Sequence, residues 1–475
     1  MNAEEFRREA HKMVDWMADF LENIEQYPVK SQVQPREIYD QVNETPPDQR
    51  ESMNEIMEDF ESIILPGITH WQHPNFYAYF QGNSSYPSIL AEMLTATLGA
   101  QCMIWDTSPA AAELEEKMMN WLKQMCGLPM NWEGTIQSTA SDATLSAILS
   151  ARESLTNFQV NDSGYYGEDV MRVYCSSQTH SSIEKGAKIA GIGKENVVKI
   201  EVDETLAMKP SDLRQQIEKD LNEGKKPICV ISTIGTTSSH AIDPVKAISE
   251  LCEEFGIWHH IDAAHAGSAM ILPEYRYMIE GIEKADSYVF NPHKWMFTNF
   301  DCSAYFVKSK EALIRTFEIL PEYLKTQATS ITNNYRDWGI PLGRRFRALK
   351  LWFVIRDFGV EGIQEKIKSH IEITQNLAKK IRQHPQFELL VTPPLNLICF
   401  RYNPGNLTED ELNQVNETIL NQVNETGKIF FTHTKLWGKY TLRMSIGQTR
   451  VTAAHVDEAW GLIEKVAIES GKSEA

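Results

Sequence analysis

The chain has 475 residues, 42% hydrophobic and 23% charged, enough apolar material for a large buried core and about three folding units; disorder is not the default reading. Its 65 acidic and 46 basic residues leave a net charge of −19, which repels nucleic-acid backbones and anionic membranes, and the short basic run Gly343-Arg344-Arg345-Phe346-Arg347 does not offset it. Seven scattered cysteines without a C-x-x-C spacing argue against a disulfide framework or a structural zinc site. A reducing, cytoplasmic setting is expected, because Met1 to Arg8 lacks the apolar run of a signal peptide and no stretch is long and apolar enough to span a membrane.

In chain order, residues 4–24 are predicted to be helical, because Phe6, Met13, Met17, Phe20 and Leu21 recur at three- and four-residue spacing. That stripe must be buried against its own domain or a partner subunit. A Pro-bearing connector from Tyr27 to Pro47 leads to a second helix near 50–63. From about 130 to 310, β-branched and aromatic runs alternate with helical segments. The strands predicted are Met171–Cys175, Val197–Val202, Ile228–Thr233, Ile257–Asp262, Ser287–Phe290 and Ala304–Val307. The helix Pro244–Phe255 is expected to take Asp243 as N-cap. Such alternation predicts an α/β fold: a mostly parallel sheet covered on both faces, with ligands outside the carboxyl ends of its strands. A polar stretch, Lys325 to Arg336, is expected to begin as a mobile loop, and helical periodicity resumes at 344–371. Beyond about 375 a smaller α+β unit is expected. The heptad Leu-Asn-Gln-Val-Asn-Glu-Thr occurs there twice, at 412–418 and 420–426, and reads as a local duplication on an amphipathic surface helix. The expected organisation is a helical segment at 1–84, a large α/β domain at 85–365 and a small α+β domain at 366–475.

Two strand ends carry chemistry. Asn291-Pro292-His293-Lys294-Trp295 follows an apolar strand, so Lys294 stands where active sites form, although the pentapeptide alone also suits a lysine snorkelling at a sheet edge. Asp262 ends another strand 32 residues earlier, followed by the small residues Ala263 and Ala264. A lysine that forms an imine, with an acid that keeps a pyridine nitrogen protonated, is what pyridoxal phosphate requires. His260, Asp262 and His265 also resemble a two-histidine, one-carboxylate metal set, but a metal site leaves Lys294 unexplained. Gln137-Ser138-Thr139-Ala140-Ser141-Asp142 opens a helix with small hydroxyl residues, an arrangement that suits either a phosphate or ordinary capping. His180, in Thr179-His180-Ser181-Ser182, also follows a strand, where its ring can stack on a cofactor.

These segments together resemble the group II pyridoxal-phosphate-dependent decarboxylases, and among them the aromatic L-amino-acid decarboxylases. The likeness extends over nearly the whole chain, through Thr69-His70-Trp71, Ser85-Tyr86-Pro87, Thr107-Ser108-Pro109, Asn299-Phe300-Asp301-Cys302 and Pro341-Leu342-Gly343-Arg344-Arg345. It implies a fold-type I homodimer with its active sites at the subunit interface, and a helical N-terminal segment that takes part in dimerisation. It also implies Lys294 as the Schiff-base lysine, Asp262 as partner of the pyridine nitrogen and His180 as the stacking ring. Thr139, Ala140, Ser141, Thr237, Asn291 and His293 become cofactor contacts, and Tyr323 the tyrosine that protonates Cα. By the same resemblance Trp71, Tyr79, Phe80, Gly343 and Met103 bind an aromatic amino acid, Gly343 leaving room for a large ring. Three positions depart from the family pattern: Gln81-Gly82, Gln101-Cys102-Met103 and His265.

Overall fold

The structure is a computed structural model that describes residues 1–165, 169–319 and 332–473. The chain divides into two compact units. One comprises Met1–Gln81, Ile373–Thr392 and Ile398–Ala475; the other comprises Gly82–Glu372 and Pro393–Leu397.

The larger unit is built on a seven-stranded sheet: β1 (Glu133–Gln137), β2 (Met171–Ser176), β3 (Val197–Ile200), β4 (Lys226–Thr233), β5 (Trp258–Asp262), β6 (Ser287–Phe290) and β7 (Ser303–Val307), in the order β1-β7-β6-β5-β4-β2-β3. β7 is antiparallel to both its neighbours, and the other pairs are parallel. β1 therefore runs with the parallel strands, and the mostly parallel sheet expected from the alternation is observed. β5, β6 and β7 are buried at every position because helices cover both faces, so both side-chain sets must be apolar or bonded. Tyr288, Phe290 and Phe306 pack with Met118, Met119 and Leu122 of the helix Pro109–Cys126, in the same core cluster. Val173, Cys175 and Ile231 share another cluster with Leu145 and Ile148 of the helix Ala140–Leu155.

β1 lacks an apolar run, and packing explains its composition. A Cβ on Gly134 would lie 2.6 Å from Met119 Cε and 2.8 Å from the Phe306 ring. Its neighbours satisfy a buried carboxylate: Glu115 Oε1 accepts the Ile136 amide at 2.8 Å and the Thr135 hydroxyl at 3.0 Å. Arg344 forks onto the same carboxylate at 2.6 and 3.0 Å, with the two side chains only 8% and 3% exposed.

The expected N-cap at Asp243 is not observed. The helix is Val245–Phe255 with Pro244 at its N-cap, and the Asp243 carboxylate instead accepts the amides of Met208 and Thr233, both at 2.7 Å. Burial pushes this carboxyl up to about 6 despite those bonds. The helical stretch expected at 344–371 runs from Arg347 to Gln383 as two helices that meet at a kink, where Gly359 takes a non-helical φ of 66°.

The smaller unit has a four-stranded sheet of β8 (Phe387–Leu389), β9 (Leu397–Tyr402), β10 (Thr432–Leu436) and β11 (Lys439–Ser445), ordered β10-β11-β9-β8. The helix Glu409–Glu425 carries the duplicated heptad and buries Leu412, Val415, Ile419 and Val423. Its two asparagines give the duplication a structural meaning. Asn416 accepts the Tyr402 amide and donates to the Tyr402 carbonyl, at 2.8 and 2.9 Å. Asn424 does the same for Phe431, at 3.1 and 3.0 Å. Each carboxamide satisfies both backbone groups of one residue, as a neighbouring strand would. In this unit the helix Ala3–Glu22 buries none of its residues, although Trp16 stacks on Phe20 at 5.2 Å and donates to Glu61. Among the described residues no helix is long and apolar enough to cross a membrane.

Candidate active site

The carboxyl ends of β1, β2, β4, β5 and β6 lie at one edge of the large sheet, because these strands run in one direction. The predicted cofactor residues follow those ends: Thr139, Ala140 and Ser141 after β1, His180 after β2, Thr237 after β4, Asp262 closing β5, and Asn291, His293 and Lys294 after β6.

The turn bearing Lys294 is fixed through its backbone. The Asn291 amide donates to Ala264 at 2.9 Å, the Lys294 amide to Asn291 at 2.8 Å, and the Asn83 side chain donates to the Lys294 carbonyl. Ser303 bonds the Asn291 side chain, and the Cys302 amide donates to His293 Nδ1 at 2.9 Å. Trp295 lies flat against His265, centroids 5.0 Å apart and planes within 4°, and its indole donates to His370 at 2.9 Å. Lys294 is half-buried in this framework, not a lysine at an open sheet edge. Burial, with Lys294 alongside, pushes the His293 imidazole down to about 3.

Asp262 is buried, and Oδ1 accepts the Ala264 amide at 3.0 Å. No other hydrogen bond reaches this carboxylate among the described residues, so Oδ2 remains as an acceptor. His180 lies within electrostatic reach of both key groups. Desolvation lowers its imidazole, Asp262 pulls it up and Lys294 pushes it down, with a net lowering. The Ser182 amide donates to His180 Nδ1 at 3.1 Å, so the neutral ring carries its hydrogen on Nε2.

Thr139 caps the helix Ala140–Leu155 reciprocally: its hydroxyl accepts from the Asp142 amide, and the Asp142 carboxylate accepts from the Thr139 amide at 3.1 Å. The next amides, those of Ala140 and Ser141, find no acceptor among the described residues, as first-turn amides of a helix do not. Open amides at a helix N-terminus are available to an anion. Near Thr237, Gly235 has φ +82°, and a Cβ there would lie 2.7 Å from Ala266 Cβ. Only glycine fits that close approach.

The predicted substrate residues are divided between the two units. Trp71, Tyr79 and Phe80 belong to the smaller unit, where Trp71 stacks on Tyr79 at 5.7 Å and Arg443 sits 4.8 Å over the Phe80 ring. Gln81 is engaged by its own unit: its amide donates to Phe76 and Ser445 carbonyls at 2.9 and 2.6 Å and accepts from the Ser445 hydroxyl at 3.0 Å. It is a packing residue. In the larger unit the Met103 carbonyl accepts the Arg336 amide at 2.9 Å. A Cβ on Gly343 would stand 3.3 Å from Gln101 Nε2, and Gln101 Oε1 accepts the Arg344 amide at 2.7 Å. Tyr323 and the start of the loop expected from Lys325 lie outside the described residues. Of the metal-like set, His260 is bonded to Ser287 and His265 to Asn396, both at 2.9 Å, and the described residues contain no metal-holding group of His, Cys, Asp and Glu.

Two contributors escape a reading of the sequence. Asn83 sits in an N-x-S triplet without other distinction, and Arg347 belongs to a basic run whose charge alone draws notice. Their partners, Lys294 and Ser138, are 211 and 209 residues away.

Residues 35–403 match the pyridoxal-dependent decarboxylase conserved domain. The chain is 41% identical to phenylacetaldehyde synthase of Arabidopsis thaliana, over 98% of this chain and 96% of that one. It is also 41% identical to tyrosine decarboxylase 2 of Narcissus pseudonarcissus, over 98% and 94% of the two chains. The crystal structure of Catharanthus roseus tryptophan decarboxylase in complex with L-tryptophan superposes with a TM-score of 0.93 at 38% identity, covering 99% of each chain. The residues at the sheet edge fit the cofactor of that family: an amine on Lys294, an uncommitted carboxylate oxygen on Asp262 and open amides at Ala140 and Ser141. Sequence match, superposition and donor set agree, and the chain belongs to the pyridoxal-phosphate-dependent decarboxylases.

Proposed function

We propose that the enzyme removes the α-carboxylate of aromatic L-amino acids (tryptophan, 5-hydroxytryptophan, DOPA, tyrosine or phenylalanine) and releases the arylalkylamine and carbon dioxide. The observation that carries this reading is the gathering of Lys294, Asp262 and His180 at one sheet edge, in a chain whose full-length relatives are named for aromatic substrates.

Pyridoxal phosphate, when bound, draws electrons from the Cα–carboxylate bond as it breaks. Lys294 would hold the cofactor through its amine. Asp262 keeps the ring nitrogen protonated, each pKa unit of that preference being worth about 1.4 kcal/mol. His180 would offer its imidazole as the stacking partner of the ring. Thr139, Ala140, Ser141 and Asn291 would hold the phosphate side, and Thr237 and His293 would be further cofactor contacts. Trp71, Tyr79, Phe80, Gly343 and Met103 line the substrate's aromatic group, and Tyr323 returns a proton to Cα.

A second reading, aldehyde formation, draws on the 41% identity to a phenylacetaldehyde synthase. Tyrosine at 323 favours the amine. Assay of the five aromatic substrates and histidine, scoring amine and aldehyde separately, tests both readings; no amine from any aromatic substrate overturns the first. Tyr323→Phe is expected to lose amine and gain aldehyde, and mainly amine at the parent rate would remove Tyr323 from its role.

The proposed assembly is a homodimer in the cytoplasm. Tyr86, Leu90, Leu94 and Leu98 form an exposed stripe at four-residue spacing on the helix Tyr86–Leu98, and burying each contributes about 1.5–3 kcal/mol. All seven cysteines are buried and none forms a disulfide among the described residues, as suits a reducing compartment. Sedimentation equilibrium checks the dimer: a monomer for the parent chain, or an unchanged mass for Leu90→Asp/Leu94→Asp, refutes this face.

A further inference from the structure

We propose that Arg347 is a positioning residue for the cofactor phosphate: it ties Ser138, at the entrance to the Thr139–Ser141 cradle, to Asp301 in the loop that secures the Lys294 turn. The proposal rests on the pyridoxal-phosphate reading above and adds a residue to which that reading gives no role.

Arg347 Nη2 makes both bonds, donating to Ser138 Oγ at 3.0 Å and to Asp301 Oδ2 at 2.9 Å. The Arg347 and Asp301 side chains are only 12% and 14% exposed, so water competes weakly for this pair. Arg347 is the first residue of the helix that ends at the Gly359 kink, so the guanidinium is carried on regular secondary structure. Burial raises the Asp301 carboxyl, but its bond to Arg347 and the nearby Lys350 charge outweigh that, and the group stays ionised below the usual range.

Each end of this bridge leads to the cofactor site. The residue after Asp301 is Cys302, whose amide donates to His293 Nδ1 and whose carbonyl accepts the His293 amide at 3.2 Å. His293 directly precedes Lys294. At the other end, Ser138 directly precedes Thr139, whose cap sets the direction of the Ala140 and Ser141 amides. β1 and β6 are not neighbours; β7 lies between them. The sheet ladder therefore sets the spacing of their ends only through a third strand, whereas Arg347 links the two turns directly. Beside the bridge is a cavity of about 150 Å³ whose lining includes Ser138, Asp142, Ser146 and Arg347, so packing does not fill the space next to the Ser138–Arg347 bond.

The test uses two cofactor forms on the full-length apoenzyme. Pyridoxal phosphate engages the cradle, and pyridoxal lacks the phosphate. The readout is the dissociation constant of each, from the borohydride-sensitive visible absorbance. Arg347→Met is expected to weaken pyridoxal phosphate about tenfold and to change pyridoxal less than twofold, as loss of a charge-assisted bond predicts. Arg347→Lys keeps a donor and should recover part of the loss. Ser138→Ala removes only the accepting hydroxyl and is expected to weaken pyridoxal phosphate about threefold; it decides the matter if Arg347→Met fails to fold. A merely structural role lowers both affinities alike or leaves both unchanged, and either result in a folded variant overturns the proposal. If the parent chain forms no reducible chromophore with either compound, the reading of the cofactor site itself falls.

Discussion

Replacing Glu115 by alanine removes one partner of the most deeply enclosed ion pair in the large unit. Arg344 would keep its buried guanidinium with no carboxylate, and the Ile136 amide and Thr135 hydroxyl would lose their acceptor. Breaking a buried pair from one side costs about 3–5 kcal/mol, and an orphaned buried amide about 1–3 more. In a unit of this size each kcal/mol is worth about 2 °C, so Glu115→Ala should melt roughly 10 °C below the parent by scanning calorimetry of the apoenzyme. The cost lies in the stranded charge. Glu115→Ala/Arg344→Met, which removes both charges, should therefore recover at least half of the loss. Glu115→Gln, which keeps an acceptor for Ile136, should fall between. A single variant melting within 2 °C of the parent, or a double variant melting no higher than the single, would refute this account.

Asp262→Asn conserves volume and removes the charge, so kcat should fall about 10²–10⁴-fold, the range for losing a positioned proton-holding group, while apoenzyme stability changes little; kcat within threefold of the parent would remove Asp262 from the chemistry. Gly343→Ser places an atom 3.3 Å from Gln101 Nε2 and must displace that amide. The ratio of kcat/KM for tryptophan over tyrosine should fall about tenfold, and an unchanged ratio would show that Gly343 does not face substrate. Acid should destabilise the protein well above the carboxylate range, because burial pushes His259, His260, His293 and His370 down to about 3. Between pH 6.5 and 3 the unfolded chain binds protons that the folded chain refuses, so the stability present above 6.5 is lost as pH falls, by about 1.4 kcal/mol per unit for each histidine. Urea titrations at pH 7, 6 and 5 check this, and a flat profile contradicts it.

The parallel strands and the Lys294 turn were legible because their signals are local. Met171–Ser176 and Ser287–Phe290 are short apolar runs, and Lys294 and Asp262 stand directly after or at the end of such runs. β1 was not, since Glu-Gly-Thr-Ile-Gln becomes a strand through Gly134 against Phe306 and Thr135 against Glu115. Asp243 looked like a cap from its neighbours, yet its carboxylate serves Met208, 35 residues away. Gln81 stands beside a predicted substrate residue and is held by Ser445, 364 residues on. Asn416 and Asn424 were visible as a repeat, but their partners Tyr402 and Phe431 were not. Composition and periodicity report what a segment must bury; they do not report which distant group a polar side chain will meet.

The shared direction of β1, β2, β4, β5 and β6 makes the site modular. Neighbouring strands are about 4.8 Å apart, so the cradle lies about 10 Å across the sheet from the lysine strand, with Asp262 one step on the other side. In the proposed reading each chemical task falls to a different strand end. A one-residue slip of a single strand moves its group about 3.3 Å along the strand and turns its face, while the other ends stay fixed by their own ladders. On the proposed reading, ring protonation at the end of β5 can fail separately from cofactor grip and amine chemistry, whose turns Arg347 ties together. That independence lets the β5 end be exchanged to alter its one task without rebuilding the rest.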